Sequence, residues 1–464
     1  MSSQPSSLHL PFTPVSRDEW QQQIVNDLKG KAFESLRWAM PEGFTSEPFY
    51  TADDLEHLPL TSQQAAQTTR QPGWLTLPEV SVGEDAKTTN ARLRALLSRG
   101  ADGLLLRMLR MPSLGAMASV ASVATTLHGI KLSDTPVWFR TDGPAAGLVA
   151  NLKTVMPYQL RGGLLNDVLK RGSEARIWIN EDLQDLAEAT RLTLDSPLFR
   201  TLTVGSHVFH NAGATLTQEL AFTFAALADL FDGLTDAGLT LEQLLHKTTL
   251  SVSVGTSYFP EIARLRALRV LWQRFITAYV PDGLQPHPGC FVHGQTSAFY
   301  NASATPYTNM IRATTEAMAA VIGGCDALTV QPYDAVFGTP DEFSERVARN
   351  VAILLKEEAH LDKTLDPAAG SYYLETLTHQ LAEAAWALFL QVEDMGGLRK
   401  SVENGFVQEE IEKAYTARVE ALKNDRVMVG VNRFRFDESA ARTIEASDHA
   451  AGFLPDRRLS AVFE

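Results

Sequence analysis

Residues 201–222, TLTVGSHVFHNAGATLTQELAF, place two histidines where a strand should hand over to a helix. Leu202 and Val204 alternate with Thr203 and Gly205, and the run reaches His207 and His210. Gly213 then turns the chain toward a helix opened by Thr215, with Gln218 three residues on in capping-box spacing. In parallel α/β architectures the catalytic groups sit at C-terminal strand ends. An imidazole there suits proton transfer or donation to a carbonyl oxygen. The competing reading is a buried polar histidine whose ring nitrogens are satisfied by neighbours. A second constellation, HPGCFVH, sets His287, Cys290 and His293 at metal-like spacing. A zinc site needs a fourth ligand, and period-two alternation sends Cys290 and His293 to opposite faces, so no metal is expected. Arg264, Arg266, Arg269 and Arg274 share one helical stretch and suit phosphate, but helix-surface arginines are expected to be solvated or paired with acids. The GGCD run at 323–326 reads as a helix stop feeding a strand, not a phosphate loop.

The elements that would position these groups recur from Ala101 onward. Short apolar runs bounded by turn residues appear at 103–108, 136–143, 159–166, 201–209, 250–256, 289–296 and 327–333, each followed by a helical pattern. An eighth strand is expected at 364–375 (TLDPAAGSYYLE) in preference to 175–180 (ARIWIN), which leaves little room for a crossover helix. Leu216, Leu220, Phe224, Leu227 and Phe231 have helical period, as do Ile262, Leu265, Leu268, Trp272 and Phe275. The fold class is therefore α/β, a (β/α)8 TIM barrel with an N-terminal extended arm and C-terminal helices from about His379 to Asn424. The arm and subunit-contact segment is assigned to 1–95, the barrel with its closing helices to 96–440, and a tail or start of a linker to 441–464.

Barrel interiors are ordinarily filled by branched aliphatic residues. Here Leu250, Val252 and Val254 alternate with Ser251, Ser253 and Gly255, and His293 shares a face with Gln295. If the apolar set meets the helices, the small polar set lines the axis. Such a lining suggests a channel or the remains of one, and Phe209, Phe291 and Phe299 are the expected plugs.

Bulk composition narrows the function. The 464 residues carry a net charge of −14, which argues against nucleic acid or an anionic membrane as partner. Two cysteines, Cys290 and Cys325, rule out a disulfide framework and fit a reducing compartment. No signal peptide and no spanning apolar run are visible, so a cytoplasmic location is expected.

Several motifs in order carry a resemblance. DEWQQQIVNDLKGKAFESLRWAMPEGFTSEPFY, TSYFPEIARLRALRVLW, HGQTSAFYNASATPYTNMIRATTEAMAAVIGG, DEFSERVARNVAILLKEE and DPAAGSYYLETLT together make the chain resemble the methylmalonyl-CoA mutase family, specifically the small (β) subunits of heterodimeric bacterial enzymes. The resemblance implies an isomerase complex in which adenosylcobalamin generates a radical and a CoA thioester rearranges. The cofactor does that chemistry and the protein positions it and excludes water. Catalytic members carry Tyr-His, three residues, then Ala-Gly-Ala. Counting back from Ala212-Gly213-Ala214 puts His207 at the Tyr position and Val208 at the His position, and valine has no donor for a carbonyl.

The stretch after Pro72-Gly73 lacks the family's tyrosine segment, and SDHAAG (447–452) has Ser447 where an Asp should orient the cobalt-ligating imidazole. Residues 453–464 are too few for a C-terminal cobalamin-binding domain. The resemblance thus implies no cofactor in this chain, adenosylcobalamin in the catalytic partner, and no catalytic residue. His207, Val208, His210, His293 and Gln295 become vestigial pocket positions. The expected partner is the mutase large subunit, and the isolated chain is left open between a homodimer through the same surface and a monomer. Apolar residues Trp20, Phe33, Leu36, Trp38, Phe44, Phe49 and Tyr50 in the arm would make the contact. The alternative is a catalytic acyl-CoA mutase barrel, like isobutyryl-CoA mutase, with a separately encoded cobalamin domain.

Overall fold

The computed structural model describes residues 15–108, 117, 119–141, 144–166, 169, 180–279, 288–424, 426–436 and 453–464. His287, most of the 175–180 segment and the SDHAAG run lie outside them.

Two five-stranded parallel sheets form the centre. One runs β3 (Leu75–Thr76), β12 (Ala327–Thr329), β11 (Phe291–Thr296), β10 (Thr248–Val254), β9 (Leu202–Gly205). The other runs β4 (Glu79–Ser81), β5 (Leu104–Met108), β6 (Val137–Thr141), β7 (Gly162–Leu164), β8 (Phe199–Arg200). β3 and β4 are halves of one extended segment that changes partner at Pro78. Leu77 N donates to Leu328 O at 2.9 Å, and Pro78 O accepts from Leu105 N at 3.1 Å. Proline has no N–H to give, which suits it to that switch. β8 and β9 repeat the arrangement across Thr201, so two extended segments each carry one strand of either sheet.

This corrects the expected eighth strand. It is not at 364–375, where Ser371 caps helix α13 (Tyr372–Asp394), but at 75–81, inside the segment read as arm. Too few alternating residues flank Pro78 for periodicity to reveal it.

The apolar faces of the strands meet helices. Leu250, Val252 and Val254 join the main core with helices α8 (Leu216–Asp236), α10 (Tyr258–Tyr279) and α13. α8 has its Thr215–Gln218 capping box and buries Leu220, Phe224, Leu227 and Phe231. The other strand faces turn inward, and a separate small cluster of Leu77, Leu105, Trp138, Leu165 and Ala327, with Leu75 and Phe291 against it, joins both sheets.

Phe291 is therefore an interior plug, stacked on Trp138 at 5.2 Å with the Arg200 guanidinium over it at 5.1 Å. Phe209 and Phe299 are not. Phe209 packs on Phe222 in the main core and Phe299 in a cluster with Val419, Leu422 and Leu459. Both follow their strand ends, where the backbone no longer alternates and inward orientation is lost.

The N-terminal segment packs partly on this chain. A short antiparallel pair, Trp38–Ala39 with Thr45–Ser46, presents Glu42 to the start of α8, where its carboxylate accepts from Leu216 N at 2.8 Å. An acid at a helix N-terminus satisfies orphan donors and meets the positive end of the dipole. Phe33 and Met40 are buried, whereas Trp38 and Phe49 stay 44% and 50% exposed. Among the described residues no helix is long and apolar enough to cross a membrane.

Candidate functional site

β9 ends at Gly205, and residues His207–Ala212 form a short helix, α7, not the strand end that alternation suggested. Gly213 stops it in the left-handed region at φ 103°, and a Cβ there would lie 2.8 Å from the Tyr415 ring. This one-turn insert sends the two histidines different ways. His207 faces the ring interior, and His210 is buried behind it against α8.

His207 belongs to a chain of hydrogen bonds across the interior. Its Nδ1 lies 2.6 Å from Ser253 Oγ and its Nε2 2.7 Å from Ser251 Oγ. Ser251 Oγ is also 2.8 Å from His293 Nδ1, and His293 Nε2 is 2.9 Å from Thr329 Oγ1. Thr329 donates its only hydroxyl proton to Leu77 O at 2.8 Å. That last bond sets the direction of the next. Thr329 must accept from His293 Nε2–H. Buried His293 is neutral, so its Nδ1 accepts from Ser251, and Ser251 accepts from His207 Nε2–H. His293 is fully buried, and burial, with Arg140 adding to it, pushes its pKa down to about 3.

His210 enters a buried ionic cluster. Its Nδ1 is 2.8 Å from Glu219 Oε1 and its Nε2 2.7 Å from Ser297 Oγ. Glu219 Oε2 also accepts from Arg264 at 2.8 Å, and the same guanidinium donates to Glu261 at 2.8 Å and to Ser253 O. Burial alone would raise the Glu219 carboxyl, but His210 and Arg264 beside it hold it below the usual carboxylate range. Burial instead raises Glu261, with Glu219 nearby, despite Arg264. Glu316 is raised well above the usual range by burial and accepts one bond, from Ser297 N at 3.0 Å.

Three of the four helix arginines are paired with acids, as one branch of the expectation had it, but they are buried and not on a helix surface. Arg264, Arg266 and Arg269 are each 1% exposed. Arg266 binds Glu375 and Asp366, while Arg269 binds Asp326 and the carbonyls of Cys290 and Gly324. They tie α10 to neighbouring elements through their terminal nitrogens, while Arg266 Nε and Arg269 Nε are buried without a partner among the described residues. Arg274 alone remains half-exposed, paired with Glu383 and stacked on Trp386 at 4.5 Å.

Of the remaining positions, Val208 is buried in the main core and offers no donor. Gln295 shares the inward face with His293 and accepts from Arg140 at 2.9 Å. Cys290 packs in the main core away from that face, and no group of three metal-ligating side chains occurs among the described residues. Sequence reasoning missed Glu219, Ser297 and Thr329 as partners of the histidines. Only Glu219 had a signal, an acid beside an otherwise apolar helix stripe.

The arrangement can hold a polar interior together, but the pocket imidazoles spend both ring nitrogens on serine, threonine or glutamate. None is left to polarise a carbonyl or to ligate cobalt.

The family model of methylmalonyl-CoA mutase matches residues 114–454. A protein named methylmalonyl-CoA mutase small subunit from Porphyromonas gingivalis is 34% identical, covering 96% of this chain and 74% of its own. A small subunit from Streptomyces virginiae is 30% identical, covering 99% and 77%. The methylmalonyl-CoA mutase of Cereibacter sphaeroides is 31% identical, covering 90% of this chain and 64% of its own length. The chain belongs to the methylmalonyl-CoA mutase family and resembles its small subunits.

Proposed function

We propose that this protein is a non-catalytic small subunit of an adenosylcobalamin-dependent methylmalonyl-CoA mutase, a cytoplasmic (β/α)8 barrel that supports a catalytic large subunit. The observation that carries this reading is Val208, buried at the position where the family places its carbonyl-binding histidine. The self-satisfied imidazoles of His207, His210 and His293 support it, because a group that polarises a thioester must have a donor free to reach the carbonyl oxygen. The barrel reading is supported by the two segments, 75–81 and 199–205, that each pair into both sheets, and by strand faces that share one small cluster. The Trp138–Phe291 stack fills part of the inward cluster, which fits a barrel axis narrower than a catalytic one.

Adenosylcobalamin would supply the radical chemistry in the partner. In this chain the pocket residues do not fit a cobalt ligand set, since each imidazole is engaged at both nitrogens. The interface reading rests on the arm, where Trp38 and Phe49 remain exposed although Glu42 is anchored on α8. Co-expression with a large subunit tests the proposal. A one-to-one complex with mutase activity, and an isolated chain that retains no corrin colour after desalting, are expected. Activity or stoichiometric corrin in the isolated chain would establish a catalytic barrel instead.

A further inference from the structure

One layer above the His293–Ser251 chain, the inward face carries a set of groups that no histidine uses. Arg107 and Arg140 stand directly opposite each other in the register of β5 and β6. Between them and the other sheet lies one carboxylate, Glu79. Its Oε1 accepts from Arg140 at 3.0 Å and its Oε2 from Gln331 at 3.2 Å. Arg140 also donates to Gln295 Oε1 at 2.9 Å. With those bonds made, Glu79 and Gln295 Oε1 are committed to Arg140 and Gln331. Among the described residues Arg107 has only a 3.8 Å approach to Glu79, and its side chain is 47% exposed although its strand face points inward. Among the described residues, the Gln295 amide nitrogen has no hydrogen-bond partner either.

Two guanidinium groups and one carboxylate leave this layer with a net positive charge, inside a chain whose total is −14. Its donors outnumber its acceptors, since each guanidinium brings five N–H groups and no acceptor. Solvent reaches it, and the walls around it are protein, so a charge met here is less screened than one on the open surface. A planar guanidinium with free donors matches the two oxygens of a carboxylate.

We propose that this layer is a binding site for a small carboxylate, gripped by Arg107 and the Gln295 amide with Arg140 fixed behind them by Glu79. Glu79 acts as the internal competitor: it orients Arg140 and lowers the affinity for any second anion. The proposal does not rest on partner assembly, so it stands or falls on the chain alone.

Calorimetric titration of the full chain with sodium succinate at low ionic strength, with sodium phosphate in a second arm, tests it. Succinate should bind once per chain. Arg107→Gln should weaken it by about tenfold or more, a change of one decade in Kd. Glu79→Gln should tighten it, and Arg274→Gln, on an arginine outside the layer, should change nothing. Absence of binding, or binding indifferent to Arg107→Gln, overturns the proposal. Phosphate binding as tightly, with the same response, overturns the carboxylate assignment. Among the described residues Arg107 makes a single long ion pair, so its variant should keep the wild-type melting curve and decides the matter even if Glu79→Gln misfolds.

Discussion

The Arg264 guanidinium meets the Glu219 carboxylate at 2.8 Å with both side chains 1% exposed. It also serves Glu261, so one cation holds two buried acids and links α10, α8 and the end of β10. Removing one partner of a buried pair strands the others without solvent. Arg264→Met should therefore destabilise the chain by about 3–5 kcal/mol, seen as a lower urea midpoint. A loss under 1 kcal/mol would mean that water reaches the acids and that the cluster is not sealed.

Ser251 joins the two interior imidazoles through one hydroxyl. Ser251→Ala leaves His207 Nε2–H without an acceptor and His293 Nδ1 without a donor. The expected destabilisation is about 1–3 kcal/mol for the buried His293 nitrogen left unsatisfied, with less from partly buried His207 and no change in secondary structure by circular dichroism. Ser251→Thr keeps the hydroxyl and should recover part of the loss.

His293 gives a pH dependence of definite sign. Folded, it titrates at about 3, below the ordinary histidine value of 6.5. Between those two values the unfolded chain binds a proton that the folded chain refuses, so stability rises with pH in that window. The contribution is fully present above about 6.5 and is lost as pH falls toward 3, at up to about 1.4 kcal/mol per unit. Denaturant melts at pH 6, 5 and 4 should show a shallower slope for His293→Gln than for the wild type. Equal slopes would remove His293 from the acid sensitivity.

Gly213 adopts a φ of 103° and its missing Cβ faces Tyr415 at 2.8 Å. Gly213→Ala should cost about 1–3 kcal/mol through backbone strain and contact together. Gly30, at φ 94° with open space around it, should lose less on the same change. Paired thermal melts of the two variants would separate strain from contact.

The exposed aromatics of the arm should act on association and not on folding. Trp38→Ser combined with Phe49→Ser is expected to weaken binding to a large subunit by about 2 kcal/mol or more. The melting temperature of the isolated chain should hardly move. Light scattering and calorimetry on the mixed chains measure it, and unchanged affinity would confine the arm to packing on its own barrel.

The alternation of strand and helix, the caps, and the split of each strand into an apolar and a small polar face were all legible along the chain. They arise from local periodicity and side-chain chemistry, which is why Ser251, His293 and Gln295 were placed on the inward face correctly. Motifs kept in order identified the family. The remaining features depend on contacts between distant residues. The strand at 75–81 exists because two sheets need a shared segment, and its halves pair with residues some 250 and 26 positions away in the chain. Three arginines that periodicity left on a helix surface are buried because acids from α8, α13 and the turn before β12 converge on them. The tautomers of His207 and His293 depend on Thr329 and Leu77, at the far side of the interior. Hydrogen-bond direction and ion pairing are relations between distant residues, and no window along the chain contains both partners.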